Sequence, residues 1–139
     1  MRAASQRGLI ALAIAWLALG GNALADDPRV EVRLVPPARL VEGDRTTIVA
    51  EVTVTPHSGS PLLLTPTNEG ASVEVVRGRL VRADAVDPDA SPMRFEIPIV
   101  AKSAGTSILR VRILTYVCES RCRAVEGTGE IVLEVARGS

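Results

Sequence analysis

Thr46-Thr47-Ile48-Val49-Ala50-Glu51-Val52-Thr53-Val54-Thr55 alternates apolar and polar residues with a period of two. Successive side chains of a strand point to opposite faces, so Ile48, Ala50, Val52 and Val54 share one face, while Thr47, Glu51, Thr53 and Thr55 lie on the other. Residues 93–101 repeat the pattern, with Met93, Phe95, Ile97 and Ile99 set against Arg94, Glu96 and Pro98. A proline inside such a run points to an edge strand or a bulge, because it has no N–H to give a neighbour. Shorter strands are expected at 30–35, 62–64, 72–77 and 79–82. They are separated by turn-forming clusters at Pro36-Pro37, Glu42-Gly43-Asp44, residues 56–61, Asn68-Glu69-Gly70, Asp87-Pro88-Asp89 and Ala104-Gly105. Seven or eight short strands at this spacing predict an all-β antiparallel sandwich of immunoglobulin-like type, and no amphipathic helix of useful length competes.

Composition agrees with strands. The 139-residue chain has one Trp, one Tyr and one Phe, so its core must be filled by Val, Ile and Leu, which suit a pleated surface. At the N-terminus, Arg2 and Arg7 precede an apolar run over 9–19, and Gly20-Gly21-Asn22-Ala23-Leu24-Ala25 follows it. A basic start, an apolar stretch too short to span a bilayer and an Ala-x-Ala site predict a signal peptide over 1–25, cleaved before Asp26. The expected product is one immunoglobulin-like domain over 26–139, periplasmic or secreted, with no transmembrane segment in the mature chain. Losing Arg2 and Arg7 leaves 14 basic against 16 acidic side chains. Such balance gives no electrostatic reason to expect nucleic acid or an anionic membrane as partner. The partner expected is another periplasmic or extracellular protein.

Chemistry concentrates in Thr115-Tyr116-Val117-Cys118-Glu119-Ser120-Arg121-Cys122, which holds both cysteines of the chain. If Glu119-Ser120-Arg121 is a hairpin loop, Cys118 faces Cys122 and Leu109 faces Ile131. Leu109, Val111, Ile113 and Val117 then share the apolar face of Ile131, Leu133 and Val135. Both cysteines project from the opposite face, with Arg110, Arg112, Leu114 and Tyr116. A bulge at Gly127-Thr128-Gly129 would reverse that parity. Opposed residues of an antiparallel pair have Cα atoms about 4.5–5.5 Å apart, so a disulfide is geometrically accessible, and outside the cytoplasm it is favoured. Closing so short a loop gains about 2 kcal/mol in the chain-entropy estimate, less than a link across the domain would give. The bond fixes a hairpin tip carrying Glu119, Ser120 and Arg121.

Tyr116-Val117-Cys118 followed closely by Cys122, at the end of a secreted β-domain, resembles the cysteine hairpin of the N-terminal domain of the periplasmic thiol:disulfide interchange transmembrane reductase. The resemblance covers about the last 35 residues and implies an immunoglobulin-like fold. It implies that Cys118 and Cys122 form a redox pair exchanging electrons with periplasmic thiol proteins, with Tyr116 as a neighbouring cap. Arg112, Arg121 and Arg123 would favour a thiolate there, and Glu119 would oppose it.

Cys-x3-Cys is also the spacing of copper-delivery proteins of oxidase assembly. Soft thiolates suit Cu(I), and a third ligand would be His57 or Met93. Those copper proteins carry a proline after the second cysteine, where this chain has Arg123. Asp84, Asp87 and Asp89 offer oxygens to Ca²⁺, yet their spacing is not that of an EF-hand and Asp-Pro-Asp is ordinary turn chemistry. Pro61-Leu62-Leu63-Leu64 reads as a core strand, or else as an exposed partner-binding edge. The glycines at 43, 70, 78, 105, 127 and 129 read as turn and bulge residues. One histidine and no Gly-x-Ser-x-Gly or metalloprotease motif leave no hydrolytic constellation, and no cofactor is expected. Three functions follow in order: a binding or assembly module with a disulfide at a hairpin tip, a thiol:disulfide exchange domain, and a periplasmic copper carrier.

Overall fold

A computed structural model describes residues 27–138; the expected signal peptide lies outside them. Among the described residues eight strands build the domain: β1 (Arg29–Val35), β2 (Arg45–Thr55), β3 (Leu62–Glu69), β4 (Val73–Val75), β5 (Leu80–Val81), β6 (Met93–Ala101), β7 (Gly105–Cys118) and β8 (Cys122–Val135). A single 3₁₀ turn at Arg82–Asp84 follows β5. The strands form two four-stranded antiparallel sheets, β1-β2-β6-β4 and β5-β3-β7-β8, and the protein is an immunoglobulin-like β-sandwich. No helix among the described residues is long and apolar enough to cross a membrane.

The alternating residues read from β2 and β6 meet as expected. Ile48 pairs with Ile97 and Ala50 with Phe95, and all four side chains are fully buried. Leu64, Leu109 and Ile113 close over them from the second sheet. Each buried side chain of this size contributes about 1.5–3 kcal/mol through loss of apolar surface from water. Among the described residues the core is almost wholly aliphatic, with Phe95 its sole aromatic ring.

Two expectations are corrected. Pro98 does not mark an edge, since β6 lies between β2 and β4. Its carbonyl accepts from Val76 N–H at 3.0 Å, just past Val75, where β4 ends. In an antiparallel strand a residue's N and C=O face the same neighbour, so the missing N–H of Pro98 falls where the adjacent strand has already stopped. Gly127 and Gly129 are neither turn nor bulge residues: they lie in continuous register within β8, opposite Ile113 and Val111. They face inward onto β1. A Cβ at Gly127 would stand 2.6 Å from Val30 Cγ1 and 2.7 Å from Val30 O, and one at Gly129 would stand 2.9 Å from Val32 Cγ1. Side-chain atoms at these two positions would hold the edge strands of the two sheets apart. The turn readings stand for Gly43, Gly70 and Gly105, whose φ values of 90°, 110° and 143° suit glycine alone.

Candidate functional site

The β7–β8 hairpin has the register its sequence implies, with Cys118 opposite Cys122 and Leu109 opposite Ile131. The two cysteines are bonded to each other, with Cα atoms 3.9 Å apart, closer than the usual spacing of opposed strand residues. Both are exposed, as are Glu119, Ser120 and Arg121 of the connecting loop. The loop is closed by Glu119 N–H donating to the Arg121 carbonyl at 3.2 Å.

The segment joining β2 to β3 braces this tip. Ser58 Oγ donates to the Tyr116 carbonyl at 3.2 Å and accepts from Ser60 N–H at 3.1 Å. Ser60 Oγ lies 4.0 Å from Cys118 Sγ, and Thr115 Oγ1 donates to the Pro61 carbonyl at 2.9 Å. From below, Arg82 Nη1 donates to the carbonyls of Ser58 and Ser60 at 2.8 and 3.3 Å. Arg82 Nη2 is buried without a hydrogen-bond partner. Sequence reasoning missed Arg82 and the serines. Their role depends on residues 22 to 58 positions apart meeting in space, and a turn-rich composition does not encode that.

On the outer face of the β5-β3-β7-β8 sheet, register orders the side chains into rungs. Val81, Leu63, Leu114 and Glu126 form one, followed toward the tip by Tyr116 with Ala124, then Cys118 with Cys122. The run Leu62-Leu63-Leu64 is thereby divided: Leu62 and Leu64 are core, whereas Leu63 faces out. Pro61, Leu62, Leu63, Arg79, Val81, Leu114 and Tyr116 line a hollow of about 180 Å³. Val81 and Tyr116 are 41% and 45% exposed, so the face holding the cysteines is largely apolar near the tip and more charged farther along. There Arg110 pairs with Glu69 at 3.1 Å and Glu130 at 2.7 Å, and Arg112 pairs with Glu126.

Arg112 stands six residues along the strand from Cys118, roughly 20 Å at strand rise, and its charge is taken by Glu126. It is therefore no activator of a cysteine thiolate. Arg121 and Arg123 are nearer, lining with Pro28, Val117, Glu119 and Ser120 a second cleft of about 290 Å³ beside the tip.

The candidate metal ligands do not converge. Met93 is 2% exposed inside the core and is no ligand. His57 is exposed on the β2–β3 segment, next to Ser58. Among the described residues no three His, Cys, Asp or Glu side chains group to hold a metal ion. Asp87 Oδ1 accepts from Asp89 N–H at 3.1 Å, a local turn contact. Asp84 caps the 3₁₀ turn, accepting from Val81 N–H at 2.8 Å and pairing with Arg77 at 3.1 Å. The Val81 amide, and after it the Arg77 guanidinium, hold the Asp84 carboxyl below its ordinary value against partial desolvation. A lowered folded pKa gives stability that is complete above the unfolded carboxylate's range, about pH 4, and is lost as pH falls through the folded value. The stability advantage of the native chain over Asp84→Asn is accordingly expected to be level near neutrality and to shrink on acidification below about pH 4, as read by urea titrations at several pH values. An advantage that grows on acidification would contradict the assigned contacts.

No family model matches the chain, and no curated protein matches it. Among solved structures it is similar to native α2-macroglobulin from Escherichia coli, spanning domain MG7 to the C-terminus. The TM-score is 0.53 at 14% identity, over 81% of this chain and 17% of that one. The chain thus corresponds to about a sixth of that structure, and the likeness is one of fold. Weaker likenesses are to a conjugative transposon lipoprotein from Bacteroides eggerthii DSM 20697, with a TM-score of 0.42, 16% identity and coverage of 73% and 95%. A cohesin module of a family 33 glycoside hydrolase from Clostridium perfringens ATCC13124 gives a TM-score of 0.43, 10% identity and coverage of 81% and 100%.

Proposed function

We propose that the mature chain is an exported binding or assembly module whose disulfide-tied hairpin tip is presented to another periplasmic or extracellular protein. The observation that carries this reading is the contrast between the frame of the tip and its surface. The disulfide, the serines of the β2–β3 segment and Arg82 fix the backbone, while Glu119, Ser120 and Arg121 are exposed, with no side-chain hydrogen bond or ion pair among the described residues. Fixing a loop beforehand lowers the ordering cost of binding. A disulfide also fits an oxidising compartment, in keeping with the leader read from residues 1–25.

A photo-crosslinking residue installed at Ser120 is expected to give a discrete protein adduct in the exporting cell. The same residue at Arg33, on the outer face of the other sheet, is expected to give none. Absence of an adduct at position 120, or equal adducts at both, overturns the reading.

Exposure of the bonded cysteines favours a second reading, thiol:disulfide exchange through Cys118 and Cys122, as the reductase resemblance implies. Reduction potential separates the two. A display module is expected to hold a resistant bond, below about −300 mV, whereas a value near −200 mV would support exchange.

A further inference from the structure

The outer face beside the tip carries more than a display role needs. Val81, Leu63, Leu114 and Tyr116 form a contiguous apolar surface around the hollow, with Val81 and Tyr116 substantially exposed. Scattered apolar side chains on a surface need no explanation, but a continuous concave set marks a place where something docks.

Charge within the lining of the hollow is one-sided. Arg79 is the single charged residue lining the hollow, and no lining residue is acidic. Arg79 forms no ion pair among the described residues. Asp84, hydrogen-bonded to the Val81 amide, and Glu126, opposite Leu114, are already committed to Arg77 and Arg112. The unpaired Arg79 guanidinium beside an apolar hollow produces a local positive potential in a chain whose mature charge is slightly negative.

We infer that this face is the docking site for an extended acidic–apolar polypeptide segment, one that places an apolar side chain in the hollow and a carboxylate against Arg79. The inference rests on the module reading above and names the partner's chemistry. A polypeptide fits better than an anionic membrane because the apolar residues line a depression in a strand face rather than crown a protruding loop. Guanidinium takes a carboxylate through paired N–H donors, which gives such a segment orientation as well as attraction.

Fluorescence anisotropy with three labelled ten-residue peptides, alternating Leu/Asp, Leu/Lys and Ser/Asp, tests this on the intact mature chain. The Leu/Asp peptide is expected to bind, with the other two at least ten-fold weaker. Arg79→Glu and Tyr116→Ser are each expected to weaken Leu/Asp binding at least ten-fold, whereas Arg79→Lys retains part of it. Both positions are exposed, and unchanged thermal unfolding confirms that the variants fold. The inference is overturned if the Leu/Asp peptide does not bind, if Leu/Lys binds equally, or if the two weakening substitutions leave binding unmoved. Phosphatidylglycerol vesicles binding at the same face with the same Arg79 dependence would also overturn it, in favour of a membrane. If the peptides fail while the position-120 adduct persists, the chemistry assigned to this face fails and the module reading stands; loss of the adduct removes the module reading itself.

Discussion

Phe95→Ala is expected to lower the unfolding free energy by about 3–5 kcal/mol, the largest effect of any single truncation in the domain. Phe95 is the only phenylalanine of the chain and is 0% exposed. Its cross-strand neighbour is Ala50, whose small side chain leaves room for the ring. The walls of the site are mostly Ile, Leu and Val, and the β-branched ones are stiff at χ1, so they cannot swing in to fill the vacated volume. The cost is therefore both the lost burial and a cavity that persists. Urea denaturation measures it directly. Phe95→Leu, which keeps most of the volume, is expected to cost far less, within about 1.5 kcal/mol. Equal losses in the two variants would show that cavity volume is not what matters at this position.

Gly127→Ala is expected to destabilise by about 1–3 kcal/mol, toward the upper end, although the change adds a single methyl group. The added Cβ meets Val30 Cγ1 at 2.6 Å and the Val30 carbonyl oxygen at 2.7 Å. A side-chain end can rotate away, but the backbone oxygen of Val30, held within β1 opposite Val54, moves only with its strand. Gly129→Ala is milder by the same reasoning, since its shortest contact is with Val32 Cγ1 at 2.9 Å. Gly78→Ala supplies the control, because nothing stands within 4 Å of its Cβ position. There the loss of unfolded-state freedom makes the change neutral or slightly stabilising. Thermal melts of the three variants should rank Gly127, Gly129 and Gly78 in decreasing order of destabilisation. A Gly127→Ala chain as stable as the native one would refute the close approach of β1 and β8.

Where one strand's own periodicity decided the matter, sequence was enough. The inward faces of residues 46–55 and 93–101, and the odd-to-odd register of β7 and β8, follow from apolar alternation, and the structure has them. Legibility fell where the deciding neighbour is distant in the chain. Pro98 looked like an edge residue because sequence does not reveal that β4 stops at Val75. Gly127 and Gly129 looked like a bulge because β1, the strand they admit, lies about a hundred residues earlier. The cysteines project from the arginine-bearing face, as register implies, yet that face is largely apolar beside them, since Val81 and Leu63 arrive from β5 and β3. Met93 is the opposite case: its own alternation on β6 points it inward, and its burial in the core rules it out as a metal ligand.

The short loop between Cys118 and Cys122 also bears on how the longest ladder finds its alignment. β7 and β8 are fourteen residues each and joined by three, so their pairing is the most local in the domain and needs no other strand to begin. Sliding by one residue would turn Leu109, Val111 and Ile113 away from the side where Leu133 and Val135 lie. Once the two sulfurs are joined, every slipped alignment is closed to the chain. A bond that adds little to the final stability then acts as a zipper's lowest tooth, deciding at the start which residues may meet along the whole length.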